Sequence, residues 1–181
     1  MMLGHPGSGK SYFAKQLAPK IHAVRLNADH MRKSMFANPE DAKNRANNPI
    51  VFGAIDYSVG EILRARHNVI YDVQHNARTQ RETSEKIATQ FDAVAILVWI
   101  KTPYDVALKR GQAREETADQ RKRNEEEMRK SLDFFINALE IPQPNEQCII
   151  IDGVLSFDEQ YQSFMEQLQK LHIEKPTQLL K

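Results

Sequence analysis

The sequence predicts one α/β domain built on a parallel sheet, and three observations carry that expectation. Short apolar runs recur along the chain and are unbroken, as in strands buried on both faces. Amphipathic stretches at helical spacing separate them. No repeat, low-complexity tract or Gly/Ser-rich linker divides the 181 residues, so a single domain over 1–181 is expected.

The elements follow in order. Only Met1, Met2 and Leu3 precede a glycine-rich turn, whereas strands commonly run about five or six residues. A central strand this short predicts a native chain that starts further upstream. A helix over Tyr12–Ala18 is stopped by Pro19. Strands are predicted at Ala23–Leu26, Asn68–Tyr71, Val94–Ile100 and Gln147–Ile151. After Pro49, Phe52, Ile55, Val59, Ile62 and Leu63 share a helical face. Thr102-Pro103 reads as an N-cap and a first-turn proline opening a helix through Leu108. Met128, Leu132, Phe135 and Leu139 form a stripe that ends before Pro142. Ser156 with Glu159 makes a capping box ahead of Tyr161, Phe164, Met165, Leu168 and Leu171. The Asn/Pro-rich stretch Asn38–Pro49 reads as a loop, and the tail from Glu174 as frayed.

Composition excludes several classes. With 25 Lys+Arg against 24 Asp+Glu, the net charge of +1 disfavours a nucleic-acid coat. The longest apolar run, Ala93–Ile100, falls far short of the roughly 20 residues that span a bilayer. No membrane partner and a cytoplasmic location are therefore expected. Cys148 has no partner for an internal disulfide and reads as a strand cysteine. The six histidines show no zinc-binding spacing.

The sharpest signal is Gly4-His5-Pro6-Gly7-Ser8-Gly9-Lys10-Ser11, a full match to GxxxxGK[ST]. Glycines allow a turn tight enough for several N–H groups to converge on phosphate oxygens, and the helix that follows adds its positive end. The nucleotide is expected on Gly4, Pro6, Gly7, Ser8, Gly9, Lys10, Ser11 and Tyr12. Lys10 reaches the β- and γ-phosphates and Ser11 ligates Mg2+. Two further carboxylates follow apolar strands. Asp72 fits a magnesium-orienting acid, with a strand-end cap as the plainer role. Asp29, in Asn27-Ala28-Asp29-His30-Met31-Arg32, sits where the carboxyl edge of the sheet meets the phosphate site, with helix capping as its competitor.

The segments GHPGSGKS, LNADHMR, NVIYDVQHNARTQRE and LVWIKTPYDVALKRGQAR together resemble the P-loop kinase branch that holds polynucleotide 5′-hydroxyl kinases and zeta-toxin-type kinases. The likeness spans about residues 1–115. It implies a P-loop NTPase three-layer sandwich with a five-stranded parallel sheet and a helical lid over about 108–125. It implies Asp29 as general base, Arg32 as a holder of the acceptor's phosphate or orienter of that base, and Asp72 as the magnesium acid. It carries a further family arginine onto Arg81 and lid arginines onto Arg110 and Arg114, which share a face if helical. Arg121, Lys122 and Arg123 read as exposed surface countered by Glu125–Glu127. Gln74, followed by His75 and Asn76, replaces the family's usual Thr or Asn. No phosphatase domain is expected after the kinase-like segment.

The expected function is an ATP-dependent kinase that transfers the γ-phosphate to a hydroxyl of a small-molecule, nucleotide or nucleic-acid acceptor, using ATP and Mg2+. Alternatives are a UDP-sugar kinase, a 5′-hydroxyl polynucleotide kinase and a non-catalytic ATP-binding switch. The near-neutral total hides a gradient, since residues 1–86 carry +5 and residues 131–181 carry −5. The positive share falls on the predicted phosphate site.

Overall fold

The computed structural model describes residues 1–117 and 122–171. Its strands are β1 Met2–Leu3, β2 Ala23–Asn27, β3 Asn68–Asp72, β4 Leu97–Lys101 and β5 Cys148–Asp152. Its helices are α1 Lys10–Lys20, α2 Ala28–Met35, α3 Pro39–Lys43, α4 Asn48–Arg64, α5 Arg78–Gln90, α6 Tyr104–Gln112, α7 Glu125–Ala138 and α8 Phe157–Lys170.

Alternate strand residues enter different cores, which makes three layers. Met2, Ile70, Val98, Ile100, Ile149 and Ile151 face Phe13 and Leu17 of α1 and Phe164 and Leu168 of α8. Leu3 and Leu97 face Phe135 of α7 on the other side. There too, Val69, Tyr71 and Val73 pack on Val51, Ile55 and Val59 of α4. The α/β class and the three layers follow the sequence expectation.

The sheet departs from it. All strand pairs are parallel, yet they form a three-stranded sheet β1-β4-β5 and a two-stranded sheet β2-β3 in place of one five-stranded sheet. The cause is the brevity of β1. Its two residues are registered on β4, Met2 with Val98 and Leu3 with Trp99. Towards β3, His75 Nδ1 lies 3.3 Å from the Met2 carbonyl. A cavity of about 790 Å3 opens there, lined among others by Met1, Ile70, Tyr71 and Ile96. The strand predicted from Val94 begins at Leu97, because β5 pairs it from that residue and β1 only from Val98.

Other boundaries moved for local reasons. Pro19 does not stop α1; it sits in the last turn, where a missing N–H removes one ladder bond. Asn38–Pro49 is not a loop but α3 and a 3-10 turn, Arg45–Asn47. Asn38 Oδ1 caps α3 from the Glu40 N–H and Asn44 Oδ1 takes the Ala46 N–H. Thr102 caps nothing; Pro103 is the N-cap of α6. Helices α2 and α5 were unanticipated, since α2 buries no residue and α5 is largely polar. The capping box at Ser156 and Glu159 forms as expected.

The outer strands carry exposed apolar side chains, Val24 on β2 and Ile150 on β5. At β5 the Gln167 amide answers both backbone groups of Ile150, accepting from its N–H at 3.0 Å and donating to its carbonyl at 2.7 Å. Of the predicted lid, 108–112 belong to α6, while 113–117 and 122–124 are not helical. Arg121 and the tail from Glu174 lie outside the described residues. Among those described, no helix is long and apolar enough to cross a membrane.

Candidate functional site

The glycine-rich turn leaves β1 in a backbone shape that only glycines adopt without strain. Gly4, Gly7 and Gly9 have φ of 145°, 79° and 100°. Space is as restrictive as torsion. A Cβ on Gly7 would stand 2.2 Å from the Ala107 carbonyl oxygen, and one on Gly4 would stand 2.7 Å from the Ile100 carbonyl oxygen. The β4–α6 connection clamps the turn from outside. Thr102 Oγ1 donates to the Ser8 carbonyl at 2.8 Å, and the His5 ring lies 2.8 Å from the Thr102 carbonyl. A cradle held this tightly, with the buried Ser8 hydroxyl lacking a protein partner, fits an anionic oxygen.

Lys10 opens α1 at the mouth of the cradle, and its ammonium donates to the His5 carbonyl at 3.1 Å. Burial pulls its pKa down to about 8; Arg114 and Arg123 push the same way, and Asp72 and Asp29 oppose them. The lysine therefore sits in the fields of both predicted carboxylates.

Asp72 ends β3 and is nearly buried. Register sets it beside Asn27 of β2. Its Oδ2 accepts from Arg25 Nε at 2.9 Å and Nη2 at 2.6 Å, and from Asn27 Nδ2 at 2.8 Å. That leaves Oδ1 for the Ser11 hydroxyl at 3.2 Å. One hydroxyl and one carboxylate oxygen, adjoining the cradle, fit Mg2+, which takes few protein ligands and fills the remainder with phosphate and water. Among the described residues no cluster of three or more His, Cys, Asp or Glu offers a fuller metal cage.

Asn27 also answers the question posed by Asp29. Its Oδ1 accepts from the His30 N–H at 2.9 Å and caps α2, so the cap is Asn27 and Asp29 is left in the first turn with its carboxylate available. Asp29 lines a pocket of about 320 Å3 shared with α2, α3 and the 3-10 turn. Arg32 lines it too. It donates to Asn48 Oδ1, lies 5.7 Å from the Phe52 ring centre, and has its pKa lowered by burial.

The two expected lid arginines do not share a helical face. Gln112 ends α6 and Ala113 is its C-cap, so Arg114 lies beyond the helix. Arg110 Nη1 donates to the Gly153 carbonyl at 2.7 Å and stands 3.9 Å from where a Cβ on Gly9 would be, at the open side of the cradle. Arg114, its pKa lowered by burial and by Arg123, is within electrostatic reach of Lys10 and Asp29. Tyr12 is exposed on the first turn of α1, and Pro6 is buried in the cradle.

Arg81 stands away from this site. Fully buried, it donates to the His75 and Asn76 carbonyls at 3.2 and 3.0 Å and pairs with Glu146 through two nitrogens. It staples the β3–α5 turn to the approach of β5. His75 is buried and its pKa is pushed down to about 3, chiefly by that burial, while Gln74 is exposed. Burial raises the Cys148 thiol to about 11, as suits a strand cysteine.

Arg25 and Asn27 were missed by sequence reasoning. The available signal was two polar residues at alternate positions of a short strand, hence on one face. Thr102, mistaken for a cap, and Gly153 were missed also. A Cβ on Gly153 would meet Thr102 Oγ1 at 1.9 Å and the Ser8 carbonyl oxygen at 2.7 Å.

A family model described as an AAA domain matches residues 1–136. No curated protein matches the chain. Among solved structures it is similar to a gluconokinase from Sinorhizobium meliloti 1021, with 17% identity over 94% of this chain and 90% of that one and a TM-score of 0.66. It is also similar to an unliganded sugar kinase from Janibacter sp. HTCC2649, with 20% identity over 97% and 94% and a TM-score of 0.58. At such identities these likenesses show the fold.

Proposed function

The chain belongs to the AAA-domain family, and on that premise we propose that it is an ATP-dependent kinase that phosphorylates a hydroxyl of a small molecule. The observation that carries this reading is that Lys10, at the mouth of the cradle, lies within electrostatic reach of both the magnesium-type carboxylate Asp72 and the first-turn carboxylate Asp29. A phosphate-holding lysine that feels both a metal acid and the carboxylate of an acceptor pocket suits phosphoryl transfer. The similar structures, a gluconokinase and a sugar kinase, support a small acceptor.

In this mechanism the backbone of Gly4–Ser11 holds the β- and γ-phosphates of ATP. Ser11 and Asp72 would hold Mg2+, which would neutralise charge on the phosphates. Asp29 accepts the proton of the acceptor hydroxyl as its oxygen bonds to the γ-phosphorus and the bond to the bridging oxygen of ADP breaks. Lys10 and Arg114 hold the charge that spreads onto the equatorial oxygens. Arg110 guards the open side at Gly9. Arg32 orients the acceptor, and Tyr12 borders the nucleotide.

A labelled-ATP transfer screen tests this, with polyols, sugar acids, sugar phosphates, UDP-sugars and 5′-hydroxyl oligonucleotides as acceptors. Transfer to a polyol, sugar acid or sugar phosphate is expected. Asp29→Asn should then lower kcat by about 100-fold or more, the loss expected for a general base. Undiminished transfer by that variant removes Asp29 from the mechanism. Label appearing only in UDP-sugars or oligonucleotides selects one of the two alternative acceptors, and ATP binding without transfer to anything selects the switch.

A further inference from the structure

Resting on the kinase reading, the lining of the pocket beside Asp29 narrows the class of acceptor. Five cationic residues line it, Arg32, Lys33, Lys43, Arg45 and Arg123, against two carboxylates, Asp29 and Glu116. Glu116 is engaged by Lys33 at 3.0 Å, so its charge is already answered. Phe36, Ala37, Pro39 and Ala42 supply an apolar wall.

The pivotal residue is Arg45. It follows Asn44, whose side chain caps the 3-10 turn, so the backbone beneath Arg45 is fixed while its side chain is exposed. It lies near enough to Arg32 for the two guanidinium charges to repel, which adds to burial in lowering the Arg32 pKa. Asp29 opposes that repulsion and answers one of the two charges, and the positive surplus left by Arg32, Arg45 and Arg123 favours a further anion in the cavity. Guanidinium groups bind carboxylate and phosphate through paired hydrogen bonds. At about 320 Å3 the pocket is at the small end for ligand sites, roomy enough for a sugar-sized molecule.

We propose that the acceptor is a small alcohol that carries its own anionic group, a carboxylate or a phosphate, and that Arg45, with Arg32, selects it by binding that group while a hydroxyl faces Asp29. An uncharged polyol would leave that positive surplus unanswered.

The test uses the full chain, labelled ATP and two matched pairs of acceptors, gluconate with sorbitol and glucose 6-phosphate with glucose. At least one anionic member should exceed its neutral partner in kcat/KM by about 100-fold, as when a site built for a polar group meets an analogue that lacks it. Which pair separates tells carboxylate from phosphate. Arg45→Gln should raise KM for the preferred anion about tenfold, the worth of one charge-assisted bond, while kcat changes by less than about twofold. Arg45→Lys should recover part of the loss. Neutral acceptors used as well as their anionic partners, or a KM unmoved in Arg45→Gln, overturns the selection and leaves the kinase reading standing. Absence of transfer to these four and to every acceptor of the wider screen overturns both.

Discussion

The phosphate cradle and the acceptor pocket adjoin, yet they are built in opposite ways. In the cradle, backbone meets backbone. Gly4, Gly7 and Gly153 each face a carbonyl oxygen closer than a Cβ can tolerate, and Ser8 is buried. In the pocket, side chains on lightly packed elements do the work, since neither α2 nor α3 buries a single residue. The difference teaches where specificity resides. Phosphate is the same in every turnover, so its binding can be written into a rigid main chain. The acceptor is recognised by long cationic side chains on a surface that sequence change can redraw without disturbing the core.

Glycine substitutions sharpen that contrast, because an added methyl should destabilise the crowded cradle and stabilise an open helix surface such as that of α4. Gly7→Ala should have the largest effect. A left-handed φ costs about 1–2 kcal/mol in an alanine, and forcing α6 away from the loop costs about 1–3 kcal/mol more. Thermal unfolding should show the loss, and nucleotide binding by calorimetry should fail with it. If Gly7→Ala folds and binds ATP normally, the cradle is not rigid and the contrast collapses.

Next in size is the pH response of the cradle. With Lys10 held at about 8 in the free protein, bound phosphate favours its charged form. Nucleotide affinity should therefore be flat below pH 8. Above it, affinity should fall by up to about tenfold per pH unit until the pKa of the complex is reached. Titrations at pH 7, 8 and 9 read this directly, and a Kd that stays constant through pH 9 would mean that Lys10 does not gain a proton on binding. The smallest effect belongs to Gly53→Ala in α4, where a Cβ meets nothing within 4 Å. Helix propensity alone should then stabilise the chain by about 0.5–1 kcal/mol, visible as a rise in Tm.

The contrast also explains what the sequence revealed. The cradle was legible because its chemistry dictates residue types inside eight consecutive positions, Gly4 to Ser11. Asp72 and Asp29 were legible as carboxylates after strands. What holds them was not. Arg25 and Asn27 act on Asp72 across 47 and 45 residues of chain, through a register that exists only once β2 and β3 pair. Helix α2 escaped notice because it is short and only Ala28 and Met31 of its eight residues reach a core cluster, both only in part. The asparagines of 38–49 suggested a loop when they were helix caps, since the same side-chain acceptor serves both uses. Arg81 shows the converse. The resemblance carried a family arginine onto this position without fixing its role, and zero exposure with the pairing to Glu146 make it a structural staple.

Gln167 has a consequence for the behaviour of the chain in company. An outer strand offers its unpaired amides to any other strand, and four consecutive residues as apolar as Cys148-Ile149-Ile150-Ile151 would invite stacking of copies edge on edge. By answering both the N–H and the carbonyl of Ile150, one side-chain amide takes the place of a neighbouring chain at the midpoint of that edge. A helix residue thus closes the middle of an exposed strand edge, and α8 covers that edge as well as walling the core.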